Sequence, residues 1–192
     1  MFFSQLILIT YRENIVLKLD VDHEISLVLM HKKMSKQLFL LINKNIDHLT
    51  SWENFFLEVN DLSLFNKYVE HILVDFAYER SLPFVIQYKK EIIGMVGIQN
   101  INYVLRKGEM FYWLSKEYCG KGLAKICCEF IISYFFDEFY PFIRKIEILT
   151  AERNIKSRGL AERLGFNLEG VISSNIKVKD KLFSLAIYGF QK

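Results

Sequence analysis

Between Phe111 and Phe130 the sequence reads FYWLSKEYCGKGLAKICCEF, with Gly120 and Gly122 one residue apart where a strand-like run gives way to helical spacing. Without Cβ atoms, the backbone at such a junction turns sharply and lets a bulky anion approach the first amides of the following helix. Those amides lack intrahelical acceptors, and the helix dipole adds positive charge, so they suit a phosphate or pyrophosphate. Lys121 could add a cation. The glycines could equally do no more than end a strand, and on this stretch alone both alternatives stay open. A Walker A loop needs Ser or Thr after its lysine, but Gly122 follows Lys121. A dinucleotide fingerprint needs a third glycine where this chain has Lys125.

The periodicity of the chain supplies the elements around this turn. "QLILIT", "NIVLKLD" and "EISLVLM" (Glu24 to Met30) are β-rich runs, the first two parted by "YREN". "KQLFLLINKNIDHLTSW" puts Leu38, Leu41 and Ile42 on one helical face. From Asp61, apolar residues at Leu62, Phe65, Val69, Ile72, Leu73 and Phe76 predict a helix capped by Asp61 or Ser63 and ended before Pro83. Phe84–Tyr88 and Ile92–Ile98 read as a hairpin turning at "KKE", and Gly108–Ser115 as a further strand. Leu123, Ile126, Cys127, Phe130, Ile131, Tyr134 and Phe135 then predict a helix from about Lys121 to Phe136. "RKIEILTAE" is a strand, "NIKSRGLAERLGF" a helix closed by Gly165, and the remainder two closing strands. This order implies a mixed α/β sheet with helices on its faces and excludes a doubly wound nucleotide-binding domain.

Composition narrows the function classes. The 192 residues fit one domain, 1–192, in which 1–23 form an N-terminal strand extension and no stretch reads as a linker. At 52% hydrophobic and 15% aromatic with two prolines, the chain is a packed globular protein. A net charge of +3 without a concentrated Lys/Arg run gives no nucleic-acid footprint. The three cysteines, Cys119, Cys127 and Cys128, are odd in number and lack metal-type spacing, which points to reduced thiols and a cytoplasmic location. His23, His31, His48 and His71 show no ligand spacing, so no metal is expected. The apolar start lacks a basic leader and is far shorter than a membrane span, so no membrane association is expected. Trp52 and Trp113 read as packing or cleft-wall residues.

Four ordered features, "IIGMVGI", "EMFYWLSKEYCGKG", Asn154 with Ser157 as N-x-x-S, and "AERLGFNLEG", resemble the GNAT acyltransferase superfamily, in its RimJ/RimL-type branch of ribosomal-protein N-acetyltransferases. The resemblance spans about Glu24 to Tyr188. It implies a GNAT-type, mostly antiparallel twisted sheet with helices on both faces and acetyl-CoA as cosubstrate. The amides of Cys119, Gly120, Lys121, Gly122, Leu123 and Ala124 would then hold the pyrophosphate. The strand through Trp113, Leu114 and Ser115 would splay from its neighbour and pair with the pantetheine arm, an amide near Leu114 polarising the thioester carbonyl. Asn154 would hydrogen-bond that arm, although its position also suits a helix N-cap. Ser157 would stand near the acetyl sulfur, where its hydroxyl would protonate the leaving thiolate.

The resemblance further implies acetyl transfer to a primary amine by direct attack, which needs that amine deprotonated by Glu109 or by water. Three positions depart from the family pattern. Glu117 stands where Gln or Arg is usual, Ile176 where some members carry a glutamate, and Ser184 where the branch carries an Asp four residues before Tyr188. The acceptor expected is a protein N-terminus, as on a ribosomal protein. A small-molecule amine, such as a polyamine or an aminoglycoside, is the alternative, as is a CoA-binding sensor without catalysis. A homodimer is compatible with all of these.

Overall fold

A computed structural model describes residues 17–192. The strand expected in "MFFSQLILITYR" and the start of "NIVLKLD" lie outside the described residues. The described elements are β1 (Lys18–Asp20), β2 (Ile25–Leu29), α1 (Ser35–Lys44), α2 (Ile46–Leu49), α3 (Phe55–Glu58), α4 (Leu62–Ala77), β3 (Leu82–Tyr88), β4 (Glu91–Asn102), β5 (Lys107–Leu114), α5 (Leu123–Tyr134), β6 (Lys145–Ala151), α6 (Ile155–Arg163), β7 (Asn167–Val178) and β8 (Lys181–Gln191). The strands form one sheet in the order β1-β2-β3-β4-β5-β6-β8-β7. Every neighbouring pair is antiparallel except β5 with β6.

Helices cover both faces because the strands alternate two apolar sets. On one face, Leu27, Phe84, Val96, Ile98, Met110 and Ile148 pack with Leu123, Cys127, Cys128 and Ile131 of α5 and Leu160 and Ala161 of α6. On the other, Val28, Val85 and Met95 pack with Leu38 and Ile42 of α1 and Phe65, Val69 and Ile72 of α4. Leu41 is only half-buried beside them. Asp61, not Ser63, caps α4, accepting from the Leu64 amide at 2.8 Å. Cys127 and Cys128 are free, fully buried thiols, as expected of small helix residues.

Three differences from the expected elements have identifiable causes. The α5 helix starts at Leu123, because Gly120 and Gly122 both adopt left-handed φ values near +80° and the chain is still turning at Lys121. It ends at Tyr134, where a wide turn over Phe135–Phe139 lets the Tyr140 amide reach the Phe135 carbonyl at 2.7 Å. That wider turn places Phe135, Phe136 and Tyr140 together in the core. The β3–β4 pairing slips between Ile86 and Gln87 of β3, so Ile93 of β4 is an extra residue packing on the α5 face while Ile92 packs on the α1 face.

Candidate active site

The two parallel strands diverge. β5 pairs with β6 only through Lys107, Gly108 and Glu109, opposite Lys145, Ile146 and Glu147, although both strands continue beyond. The Ser115 amide bonds to the Ile93 carbonyl on β4 at 2.7 Å. By strand alternation the backbone groups of Trp113 and Phe111 also face β4, while those of Leu114 and Tyr112 face the gap. A strand edge whose Tyr112 and Leu114 amides have no partner on β6 thus lines a split in the middle of the sheet, with the Leu114 carbonyl 4.0 Å from the Cys119 thiol.

The glycine turn stands at the mouth of that split. The amides of Gly120, Lys121, Gly122, Leu123, Ala124 and Lys125 have no acceptor among the described residues, and the first α5 bond of this turn runs from Ile126 to the Gly122 carbonyl, whereas the Cys119 amide, expected among the free ones, is bonded to the Lys116 carbonyl at 3.2 Å. A Cβ built on Gly120 or Gly122 meets nothing within 4 Å, so no atom of the described residues crowds either glycine on that side. Successive free amides at a helix start form an anion-binding concavity. Lys121 stands over the Tyr118 ring at 5.1 Å, and exposed Glu117 reaches Lys44 at 3.8 Å, a weak surface pair.

The approach to the turn is pinned by a residue that sequence reasoning missed. Asn45, buried at the end of α1, accepts from the Lys116 amide at 2.9 Å and the Ser115 hydroxyl at 3.3 Å, and donates to the Leu41 carbonyl. Ser115 therefore commits its amide to Ile93, its hydroxyl to Asn45 and its carbonyl to Tyr118, and offers no group to the split. Asn45→Ala leaves the Ser115 and Lys116 donors unsatisfied, and we expect it to lower stability by about 2 kcal/mol in urea denaturation. Cys119 is half-buried, its Sγ 3.5 Å from His48 Nε2. Burial raises the Cys119 thiol pKa and lowers that of His48, with Lys156 and Lys116 pushing the histidine the same way.

Across the split, α6 carries the N-x-x-S pair. Asn154 caps the helix, its Oδ1 accepting from the Ser157 amide at 3.2 Å, which leaves its amide nitrogen free of a described partner. Ser157 Oγ lies 2.9 Å from the Tyr112 hydroxyl of β5. Tyr112 was not singled out from the sequence. Burial raises its phenol pKa well above the ordinary value, with the Ser157 contact opposing.

Glu109 belongs to the other face. Alternation along β5 sets its side chain opposite to that of Tyr112, among the residues that face α1 and α4. Gln99 and Asn100 of β4 donate to its two oxygens at 3.2 and 2.9 Å. Trp113 is on the same face, its ring 5.8 Å from Phe56. Glu147, paired opposite Glu109, is engaged by Lys107 and Lys145 at 2.7 and 2.8 Å.

A bridge of side chains spans this side. Asn54, in the segment joining α2 to α3, donates to the Lys177 carbonyl at 2.9 Å and accepts from the Lys179 amide at 2.7 Å, which ties it to the β7–β8 hairpin. The Trp52 ring meets Phe183 at 6.3 Å, and Phe183 pairs with Ile176. Glu53, between Trp52 and Asn54 in the chain, is exposed, and its carboxylate accepts from the Phe55 amide at 3.4 Å. Desolvation raises its pKa, the amides of Phe55 and Asn54 oppose this, and the charges of Glu109 and Glu58 add to the rise. The Ser184 carbonyl accepts from the Glu152 amide at 2.8 Å, and the Tyr188 hydroxyl accepts from Arg158 and donates to Glu162, both at 2.9 Å. Among the described residues, no group of three or more His, Cys, Asp or Glu could hold a metal, and no helix is long and apolar enough to cross a membrane.

A split sheet with free helix-start amides at its mouth has the form of a site for an extended phosphate-bearing ligand. The sequence profile of the acetyltransferase (GNAT) domain matches residues 38–167, and the chain belongs to the GNAT acetyltransferase family. It is 31% identical to a putative ribosomal N-acetyltransferase, YdaF, of Bacillus subtilis (strain 168), over 90% of this chain and 93% of that protein. It is 32% identical to the spermidine N(1)-acetyltransferase of Escherichia coli (strain K12), over 60% of this chain and 56% of that one. Among solved structures, the microcin C7 self-immunity acetyltransferase MccE in complex with acetyl-CoA and AMP superposes with a TM-score of 0.82 at 27% identity, covering 90% of this chain and 94% of that one. The ribosomal L7/L12 α-N-protein acetyltransferase RimL, in complex with coenzyme A, shares the fold with a TM-score of 0.87 at 18% identity, covering 91% and 98%. The protein is thus a GNAT-type N-acetyltransferase with a mixed, mostly antiparallel sheet.

Proposed function

We propose that the protein transfers the acetyl group of acetyl-CoA to the N-terminal α-amine of a protein, a ribosomal protein in the first instance. The observation that carries the cosubstrate assignment is the run of free amides from Gly120 to Lys125 at the mouth of the β5–β6 split. In this reading those amides bind the pyrophosphate, and the open edge at Tyr112 and Leu114 pairs with the pantetheine arm as an extra strand would. One of these two edge amides polarises the thioester carbonyl, and the free amide nitrogen of Asn154 holds the arm.

The two faces of the sheet divide the chemistry. Glu109, on the α1 and α4 face, accepts the proton of the attacking amine directly or through water. Ser157, on the α6 side, donates to the leaving thiolate. The acceptor then enters beneath the bridge formed by Trp52, Asn54 and the β7–β8 hairpin. A protein α-amine is preferred over a polyamine because the likeness to the putative ribosomal enzyme spans 90% of the chain and that to the spermidine enzyme 60%.

Two measurements test this. Acetyl-CoA at a hundred times its dissociation constant should stabilise the protein by about 2.7 kcal/mol, and no thermal shift would sink both the enzyme and the sensor readings. Thiol release is then compared across peptides with Ser or Ala termini, spermidine and an aminoglycoside. Peptide turnover supports the proposal, spermidine turnover replaces the acceptor, and no turnover with any amine favours the sensor. Glu109→Gln turns an amide toward the Gln99 and Asn100 donors and removes the proton acceptor. We expect at least a tenfold fall in kcat with the acetyl-CoA shift unchanged, whereas full activity would leave water as the base.

A further inference from the structure

We propose that Tyr112 is a positioning residue for the leaving group, its hydroxyl orienting the Ser157 hydroxyl so that the serine proton turns toward the CoA sulfur as the carbon–sulfur bond breaks. This rests on the acetyl-transfer reading above. The Tyr112 hydroxyl lies 2.9 Å from Ser157 Oγ and 3.3 Å from the Ser157 carbonyl oxygen. A carbonyl only accepts, whereas each hydroxyl donates once and also accepts, so two arrangements satisfy the same heavy-atom positions. In the first, Ser157 donates to the tyrosine oxygen and Tyr112 donates to the Ser157 carbonyl. In the second, Tyr112 donates to Ser157 Oγ and the serine proton is free for another acceptor.

Passing from the first arrangement to the second rotates two O–H bonds and moves no heavy atom. A thiolate forming in the split is the acceptor that draws this change. The amine nitrogen forms its bond to the acetyl carbon, and the carbon–sulfur bond breaks with the electron pair on sulfur. The amine proton leaves toward Glu109 or water. A thiol is far more acidic than either hydroxyl. The sulfur therefore leaves as a hydrogen-bonded thiolate protonated later from solvent, and the hydroxyl couple neither gains nor loses a proton. The donor oxygen is already in place when charge develops and only O–H rotation remains, so the stabilisation needs little reorganisation. Burial of Tyr112 keeps its phenol protonated and hence a donor throughout the working range. Chained hydroxyls also polarise one another, so the tyrosine strengthens the serine as a donor.

The test is steady-state kinetics on the full chain with Tyr112→Phe, Ser157→Ala and the double variant. Thiol release from acetyl-CoA is followed with a serine-terminated peptide, or with hydroxylamine, which is uncharged at neutral pH. Phenylalanine keeps the ring and removes only the hydroxyl. We expect Tyr112→Phe to lower kcat about tenfold with the KM for acetyl-CoA changed less than about twofold, and Ser157→Ala to lower kcat about a hundredfold. The double variant should match Ser157→Ala within about twofold, because the tyrosine acts only through the serine. An unchanged kcat in Tyr112→Phe, or a double variant that multiplies the two single losses, overturns the inference. Full activity in Ser157→Ala overturns the serine's own role as well, so the two failures are told apart. If Tyr112→Phe does not fold, 3-fluorotyrosine at position 112 decides instead. Its stronger donor should raise kcat by about twofold, and an unchanged or lowered kcat overturns the inference.

Discussion

Gly122→Asp is expected to abolish acetyl-CoA binding while leaving the protein folded. Gly122 is the N-cap of α5 with φ +81°, and a Cβ there meets nothing within 4 Å, so the cost to the fold is backbone strain alone. That strain is about 1 kcal/mol for an ordinary residue and smaller for Asp, which tolerates the left-handed region better than most. A carboxylate at a helix start is also favoured by the dipole and accepts from free amides, which offsets part of the strain. The amides from Gly120 to Lys125 would then be occupied by an internal anion. A pyrophosphate would have to displace it and face its charge. The thermal shift given by saturating acetyl-CoA, about 2.7 kcal/mol at a hundredfold excess over Kd, should fall to zero. Gly122→Ala supplies the control, adding the strain without the charge, and should lower stability by about 1 kcal/mol while keeping most of the acetyl-CoA shift. If the Asp variant keeps the full shift, the phosphates do not sit on this turn.

How this turn became legible bears on the rest of the site. The glycines, the strand before them and the apolar period after them all lie within one short stretch, and local pattern fixes local conformation. The same holds for α4, whose cap and apolar face are both written between Asp61 and Phe76. It fails where a partner is remote. Asn45 looks like an unremarkable break between two helical runs, and its partner Lys116 lies 71 residues away. Tyr112 looks like another aromatic in "MFYWL", and only the divergence of β5 from β6 brings it to Ser157, 45 residues on. The bridge at Trp52 and Asn54 was hidden for a further reason. The α3 helix has four residues and no usable period, and its preceding segment is placed by the hairpin it touches more than a hundred residues later. The end of α5 misled in the opposite way, because Phe135 and Phe136 continue the helical spacing although the backbone widens there to bury both rings.

The glycines of "IIGMVGI" test a different part of the same pattern, and Gly94→Ala is expected to be among the most destabilising single substitutions in the chain. The alternation of that run predicts a strand and gives no reason for its glycines. The structure supplies one, since a Cβ at Gly94 would lie 2.1 Å from the Trp113 carbonyl oxygen and 2.9 Å from the Leu114 Cα, both backbone atoms of β5. No side-chain rotation relieves such a contact, so β4 and β5 must separate or the bulge at Ile93 must move. Gly94 pairs with Leu114 and Ile86 directly beside that bulge, where the ladder has little slack. We expect a loss of about 3 to 5 kcal/mol in urea denaturation, at the upper end for a single substitution. A milder folded variant would still displace Leu114 and with it the edge that lines the split, so kcat should fall even where the protein survives. By contrast, an alanine at Gly170, where a Cβ meets nothing within 4 Å, should change stability by less than about 1 kcal/mol. If Gly94→Ala proves as mild as Gly170→Ala, the strands at the split are not held as closely as the geometry requires, and the placing of the Leu114 amide loses its basis.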